Sequence, residues 1–167
     1  DKGASKCEDG GKWLSPIPEC FWNGNTCDNK GSLVQIIMDN NHLRGEIPGI
    51  LSQLTKLKIL ALEKGHLTGC IPESFGELIN LKRLDLDYNK LGGQECMFPD
   101  LSKLVNLEQL DLNDNPDLEG DLMGIRKLPK LLFISIHNTK FSGIIPQVLG
   151  SNASKLQVLT FQNTKIQ

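Results

Sequence analysis

A pattern of the form LxxLxLxxNxLxGxIP that begins at Leu33 returns at Leu57, Leu81, Leu107, Leu131 and Leu156, in steps of 24, 24, 26, 24 and 25 residues. A period this short leaves each unit room for one strand, a bend and a return segment, too little for a propeller blade or a pair of helices. Each unit carries an apolar-x-apolar triplet, Ile36–Met38, Leu60–Leu62, Leu84–Leu86, Leu110–Leu112, Ile134–Ile136 and Leu159–Phe161. That alternation is the period of a half-buried strand. One unit cannot bury its leucines alone. Successive units must therefore lie side by side, with parallel strands about 4.8 Å apart and one continuous apolar core. The architecture expected is a solenoid of about six repeats with one parallel sheet.

The units span residues 33–167, and residues 1–32 remain as an N-terminal cap carrying Trp13, Phe21 and Trp22 to cover the apolar edge of the first coil. Gly3, Gly10 and Gly11 weigh against a helix before Trp13. The last coil stops at Gln167 with no closing cap, so further chain or a partner is expected at that edge. The five cysteines speak to compartment. Cys20 and Cys27 flank a six-residue segment in the cap, where a staple closes the open end. If Gln94 and Glu95 are the two-residue excess of the longest step, Cys70 and Cys96 hold the same position on adjacent coils, about 5 Å apart and within disulfide reach. Two such coincidences favour disulfides over buried thiols, and hence an extracellular, secretory or organelle-lumen setting. Cys7 is left as a free thiol, an alternative cap partner or an intermolecular link. Asn152 opens Asn-Ala-Ser, an N-glycosylation acceptor in a loop.

Composition excludes more than it assigns. A net charge of −2 offers no basic footprint for nucleic acid. No run of eighteen apolar residues is present to span a bilayer, although a membrane-complex partner is compatible with the chain. Asp1 opens a polar segment without a charged or apolar leader, consistent with a signal peptide already removed.

Within each coil the Asn of LxxN turns inward to hydrogen-bond backbone groups at the bend. Asn41, Asn89 and Asn115 hold that place; Gly65, Thr139 and Thr164 depart from it, so the Asn ladder should weaken at the second, fifth and sixth coils. The following segment is intact as LRGEIP (43–48), LTGCIP (67–72) and FSGIIP (141–146). The fourth coil instead reads NPDLEGDLMGIRKLPK, which predicts an irregular outer edge. These motifs resemble the leucine-rich repeats of plants and algae, found in receptor-kinase ectodomains and polygalacturonase-inhibiting proteins. The cap is similar too: Cys20-Phe21-Trp22-Asn23-Gly24-Asn25-Thr26-Cys27 follows the family's WxGVxC except at Asn25, and Trp13-Leu14-Ser15 resembles the N-terminal module of related algal and microbial proteins. The resemblance covers roughly residues 11–167. It implies an α/β-type leucine-rich repeat solenoid, a curved right-handed coil with a concave parallel sheet, that binds a protein, a peptide or a glycan.

Counting each start as position one, the residues alternating with the leucines and just after them form the concave face. Position five holds Ile37, Ala61, Asp85, Asp111, Ser135 and Thr160; position seven Asp39, Glu63, Asp87, Asn113, His137 and Gln162; position eight Asn40, Lys64, Tyr88, Asp114, Asn138 and Asn163. Six carboxylates (Asp39, Glu63, Asp85, Asp87, Asp111, Asp114) against Lys64 give this face −5. The rows reinforce one another's field. With Tyr88 as a central aromatic anchor, and with Asn113 and His137 beside it, the face is the candidate binding surface for a protein or peptide of basic character, in preference to a glycan. A solvated polar face and a Ca²⁺ site are the competing readings of the same acids. No loop has the Asp/Gly spacing of a calcium loop, and His42 and His66, one coil apart, have no third ligand, so no metal ligand and no cofactor is assigned.

No phosphate-binding loop, HExxH or GxSxG is present, and carboxylates on an open face lack a pocket that tunes them for acid–base work. The chain therefore reads as a non-enzymatic protein- or peptide-binding module. A scaffold subunit of a larger membrane-associated or lumenal assembly, and a secreted inhibitor of a cell-wall glycosidase, are the alternatives.

Overall fold

In this computed structural model, residues 19–126, 128–146 and 155–167 are described. Cys7, Trp13, Leu14, Ser15 and Asn152 lie outside them. The cap contributes a 3₁₀ turn, Glu19–Phe21, and strand β1, Asn25–Cys27. Six strands follow, one per repeat: β2 (Leu33–Ile37), β4 (Ile59–Ala61), β6 (Arg83–Asp85), β8 (Gln109–Asp111), β9 (Phe133–Ser135) and β11 (Val158–Thr160). They form one sheet in the order β1-β2-β4-β6-β8-β9-β11, with β1 antiparallel to β2 and the rest parallel. The register advances one whole repeat per strand, pairing Ala61 with Asp85 and Asp85 with Asp111. Strands β4, β6, β8, β9 and β11 begin one residue before the sequence triplets, because position three already pairs, and β2 begins at position one. Beyond them the ladder continues, with Leu62 N donating to Asp85 O at 2.9 Å and Lys64 N to Asp87 O at 3.1 Å.

The leucines of positions one, four and six fill the interior, with Leu57, Leu60, Leu81, Leu84, Leu107 and Leu110 fully buried and Phe75 and Phe141 among the largest core side chains. Return segments are single 3₁₀ turns, Gly49–Gln53, Glu73–Glu77 and Met123–Ile125. Pro48 and Pro72 stand at the N-caps of the first two in extended conformation, where the missing N–H costs nothing. Short strands β3 (Arg44–Glu46), β5 (His66–Gly69) and β7 (Lys90–Leu91) make a side ladder. The ladder breaks at the fourth coil, which lacks the Gly-x-Ile-Pro segment. Among the described residues the bridge Gly92–Asp117 stands between the third and fourth coils, Lys140 N and Ser142 N donate to Leu118 O and Gly120 O at 2.9 Å between the fourth and fifth, and β10 (Ser142–Gly143) and β12 (Lys165–Ile166) pair between the fifth and sixth. A Cβ on Gly92, at φ +106°, would stand 2.1 Å from Asp117 O, so the close approach of these two coils requires glycine.

Both cysteine pairs are disulfides. Cys20–Cys27 closes the cap and Cys70–Cys96 joins the second and third coils, with Cα separations of 5.4 and 5.0 Å. Asp28 holds the turn into β2 by accepting Lys30 N and Ser32 N at 2.9 Å, bonds that keep its carboxyl below the usual range. One expectation for the cap is corrected. Phe21 is 73% exposed and covers nothing, whereas Trp22 is half-buried. Consecutive side chains at the end of a 3₁₀ turn point about 120° apart, so the two rings cannot both face the first coil.

The bend ladder is built at Asn89 and Asn115, whereas Asn41, expected to hold the same place, makes no side-chain hydrogen bond among the described residues, so the ladder begins at the third coil. Asn89 Nδ2 donates to Leu62 O, Leu86 O and Asp87 O, and its Oδ1 accepts from Leu67 N at 3.1 Å. Asn115 repeats this with Leu86 O, Leu112 O, Asn113 O and Leu91 N. Each Asn thus ties its own bend to the coil before it. Thr139 and Thr164 bond only within their own coils, to Ile136 O and Phe161 O. Gly65 offers no side chain, and a Cβ there would lie 2.8 Å from Asn89 Oδ1.

Candidate functional site

The register places positions three, five and seven of successive strands side by side on the open face of the sheet. Position eight ends each strand in the left-handed region: φ is 56°, 53°, 49°, 53°, 54° and 56° at Asn40, Lys64, Tyr88, Asp114, Asn138 and Asn163. This turn throws the position-eight side chain outward. Tyr88 is accordingly 51% exposed near the centre of the face.

The face divides into two halves of different chemistry. Toward the C-terminus its polar groups bond one another. Asp114 Oδ2 accepts from Asn113 Nδ2 at 2.8 Å and Oδ1 from Asn138 Nδ2 at 2.6 Å, while Asn163 Nδ2 donates to Asn138 Oδ1 at 2.7 Å. Ser135 Oγ donates to Asn113 Oδ1 at 3.0 Å and receives Thr160 Oγ1 at 2.8 Å, with His137 Nδ1 at 3.1 Å. His137 Nε2 lies 3.5 Å from Asp114 Oδ2. Ser135 is buried, and its hydroxyl is shared among Asn113, Thr160 and His137 within the network.

Toward the N-terminus the acids are not satisfied in this way. Asp85 and Asp87 are not solvated as an open face suggested; they are 1% and 8% exposed. The neighbouring strands stand so close that their own side chains cover the short aspartates. Arg83 Nη2 bonds Asp85 Oδ2 at 2.6 Å and lies 3.9 Å from Glu63, whose other oxygen bonds Lys64 Nζ at 2.8 Å. Among the described residues, Asp39 Oδ1, Asp87 Oδ1 and Asp111 Oδ1 are buried without a hydrogen-bond partner. Burial raises all four aspartate carboxyls. It pushes Asp87 to about 7, reinforced by Asp85, Asp111 and Glu63, and Asp111 to about 6, reinforced by Asp85. Asp39 and Asp85 are raised for the same first reason. The expectation that these carboxylates keep ordinary acidity is therefore corrected.

Glu63, Asp85 and Asp87 converge, with one oxygen from each within 4.8 Å of the others. Asn113, Asp114 and His137 meet in the second network, Tyr88 stands between the two, and Asp39 and Asp111 flank the acids. Sequence reasoning passed over Arg83. It occupies position three, with Gln35, Ile59, Gln109, Phe133 and Val158 in the same row, and the same alternation carried one step earlier finds it. His42 and His66 stack with centroids 6.3 Å apart, outside the acidic group. An apolar cavity of about 430 Å³ lies off the face in the first two coils, lined by Ile36, Met38, Leu43, Ile47, Leu51 and Leu62 among others, with Glu46 at its edge and none of the six carboxylates of the sheet face.

Coils of 24 to 26 residues, one parallel strand per coil and an Asn-bonded bend define a leucine-rich repeat solenoid. Two leucine rich repeat profiles match residues 32–54 and 55–116, together just over half of the chain, which belongs to the leucine-rich repeat proteins. It is 42% identical over 66 residues to Receptor-like protein 6 of Arabidopsis thaliana, a match over 39% of this chain and 6% of that protein's length. Its fold is similar to that in the BIR3–SERK2 complex from Arabidopsis thaliana, with 26% identity and a TM-score of 0.77 over 100% of this chain and 88% of that one. It is similar also to the Arabidopsis receptor kinase HAESA ectodomain in complex with an N-terminally extended IDA peptide hormone, with 27% identity and a TM-score of 0.76 over 93% of this chain and 26% of that one. Two disulfides and these ectodomain relatives point to an extracellular or otherwise oxidising compartment. Among the described residues no helix is long and apolar enough to cross a membrane.

Proposed function

We propose that this chain is a non-enzymatic recognition module of plant extracellular type that binds a protein or peptide segment of basic character on the open sheet face. The observation that carries the reading is Tyr88, a half-exposed ring at the centre of the face, beside Asp114 and above uncompensated carboxylates. Asp114 is the first cause of the upward shift of the Tyr88 hydroxyl. An aromatic anchor supplies contact area at low entropic cost, and the surrounding acids steer and orient a cationic partner. The complexes formed by the structural relatives, one with a protein and one with a peptide hormone, support the class of ligand.

The test is an array of synthetic peptides graded in Arg and Lys content, read by surface plasmon resonance at two salt concentrations. Binding should rise with basic content and weaken with salt. Tyr88→Ala should cost about 2 kcal/mol, roughly thirtyfold, mainly through a faster dissociation rate. Binding indifferent to Tyr88→Ala and to salt would move the site off this face.

A further inference from the structure

We propose that the floor of the sheet face, beneath the level of Tyr88, is a binding site for a hard divalent cation, best suited to Ca²⁺, with Glu63, Asp85 and Asp87 as its protein ligands. The geometry comes from the register. Ala61 of β4 pairs with Asp85 of β6, so Glu63, two residues beyond Ala61, stands against Asp87, two beyond Asp85. One oxygen from each of the three carboxylates lies within 4.8 Å of the other two. Oxygens bound to one Ca²⁺ at 2.3–2.6 Å are at most about 5 Å apart, and its flexible sphere of six to eight ligands is completed readily by water. The group holds no nitrogen or sulfur ligand, which favours Ca²⁺ over zinc or copper.

A separate observation says that something is missing from this cluster. Asp87 is more than nine-tenths buried, and its Oδ1 has no hydrogen-bond partner. An ionised carboxylate out of water and without a donor is strongly unfavourable. The neighbouring groups do not supply one. Arg83 is spent on Asp85 at 2.6 Å, with its own Nε buried and unpartnered, and Lys64 is spent on Glu63 at 2.8 Å. The contrast is Asp114, one repeat further on, whose two oxygens are both taken by amides. Three carboxylates against two side-chain cations leave an excess negative charge at Asp87, with Asp39 and Asp111 adding to it from either side. A divalent ion seated between Glu63, Asp85 and Asp87 would satisfy the orphaned oxygen and reverse that excess. Arg83 and Lys64 oppose it, so the affinity belongs with the weaker extracellular sites, about 0.1–1 mM.

The experiment titrates the chelator-treated chain with CaCl₂, and separately with MgCl₂, by isothermal calorimetry. Tb³⁺ serves as a luminescent substitute sensitised by Tyr88, the chain's one tyrosine. No partner is present, so the result is independent of the recognition reading above. Wild type should bind Ca²⁺ in the stated range and more tightly than Mg²⁺. Asp87→Asn keeps the shape and removes an unpartnered charge, so it should fold as wild type by circular dichroism and lose Ca²⁺ affinity at least tenfold. Arg83→Gln removes the competing cation and should tighten Ca²⁺ about tenfold. Absence of Ca²⁺ binding up to 10 mM, or equal affinity in wild type and Asp87→Asn, overturns the proposal.

Discussion

Replacing Asn115 with Ala tests the idea that the bend asparagines, more than any surface contact, tie neighbouring coils together. Asn115 is fully buried. Its amide serves Leu86 O and Leu112 O at 3.0 Å and Asn113 O at 3.2 Å, and its Oδ1 accepts Leu91 N at 3.0 Å. Two amide protons shared over three carbonyls, plus one accepted bond, amount to three effective hydrogen bonds. Each buried bond lost without replacement costs about 1–1.5 kcal/mol, so Asn115→Ala should destabilise by roughly 4 kcal/mol. For a chain of this length that is a fall in Tm of about 8–16 °C. Asn115→Thr is the informative companion. As at Thr139, a hydroxyl should reach the carbonyl three residues back and the N–H two residues on, but not Leu86 O or Leu91 N. It should therefore recover about half of the loss. Urea and thermal unfolding by far-ultraviolet circular dichroism give the energies, and hydrogen exchange at the Leu91 amide reports the orphaned donor directly. An Ala variant within about 1 kcal/mol of wild type, or a Thr variant as unstable as Ala, refutes the reasoning.

Asp111→Asn should stabilise the chelator-treated protein at pH 7.5 but not at pH 3.5. The folded carboxyl titrates near 6 against an ordinary 3.8, so the wild type loses stability as pH rises from about 4 to 6, where the unfolded chain has released the proton and the folded chain still holds it. The shift of about two units is worth roughly 3 kcal/mol when taken whole, and about 1–2 kcal/mol once the carboxyl's partial exposure is allowed for; an equal gain at both pH values contradicts the assignment. Lys64→Asn should raise stability by about 0.5–1 kcal/mol in urea, because Lys64 is held at φ 53°, a conformation Asn adopts at lower cost. A less stable variant would mean that the exposed Lys64–Glu63 pair outweighs the backbone strain.

The repeat, the parallel order of strands, both disulfides and the roles of Asn89 and Asn115 were legible because each follows from residues recurring at one position of a fixed period. Cys70 and Cys96 are distant in sequence but near in register, and the two-residue excess before Cys96 was enough to align them. What was not legible depends on distances between side chains. Position numbers place Asp85 and Asp87 on an outward row, yet in a sheet with strands about 4.8 Å apart a short aspartate is covered by the longer Arg83 and Glu63 beside it. Outward therefore did not mean solvated, and the weakened acidity of these groups was invisible. Arg83 was passed over because the concave rows were started at position five, although position three shares the same face. The difference between Asp114, with both oxygens bonded, and Asp87, with one orphaned, rests on whether the next coil offers Asn138 or nothing, a coincidence between rows that a single-position reading cannot weigh.

The fastenings between coils are unevenly distributed along the solenoid. Cys70–Cys96 bridges the second and third coils, closing a loop of 26 residues worth roughly 3.5 kcal/mol against the unfolded chain, and Asn89 and Asn115 lace the second, third and fourth together. Beyond Asn115 the bend residues are threonines that bond only within their own coils. In a quasi-one-dimensional array each coil is held only by its neighbours, so such a gradient gives the molecule a zipper with one reinforced end. Coils five and six should open more readily than the fastened block of coils two to four, and they carry His137, Asn138 and Thr160 of the polar face. A partner lying across Tyr88 would span the seam between the rigid block and the breathing one. Its grip would then register as slower opening of the C-terminal coils, far from the acids that attracted it.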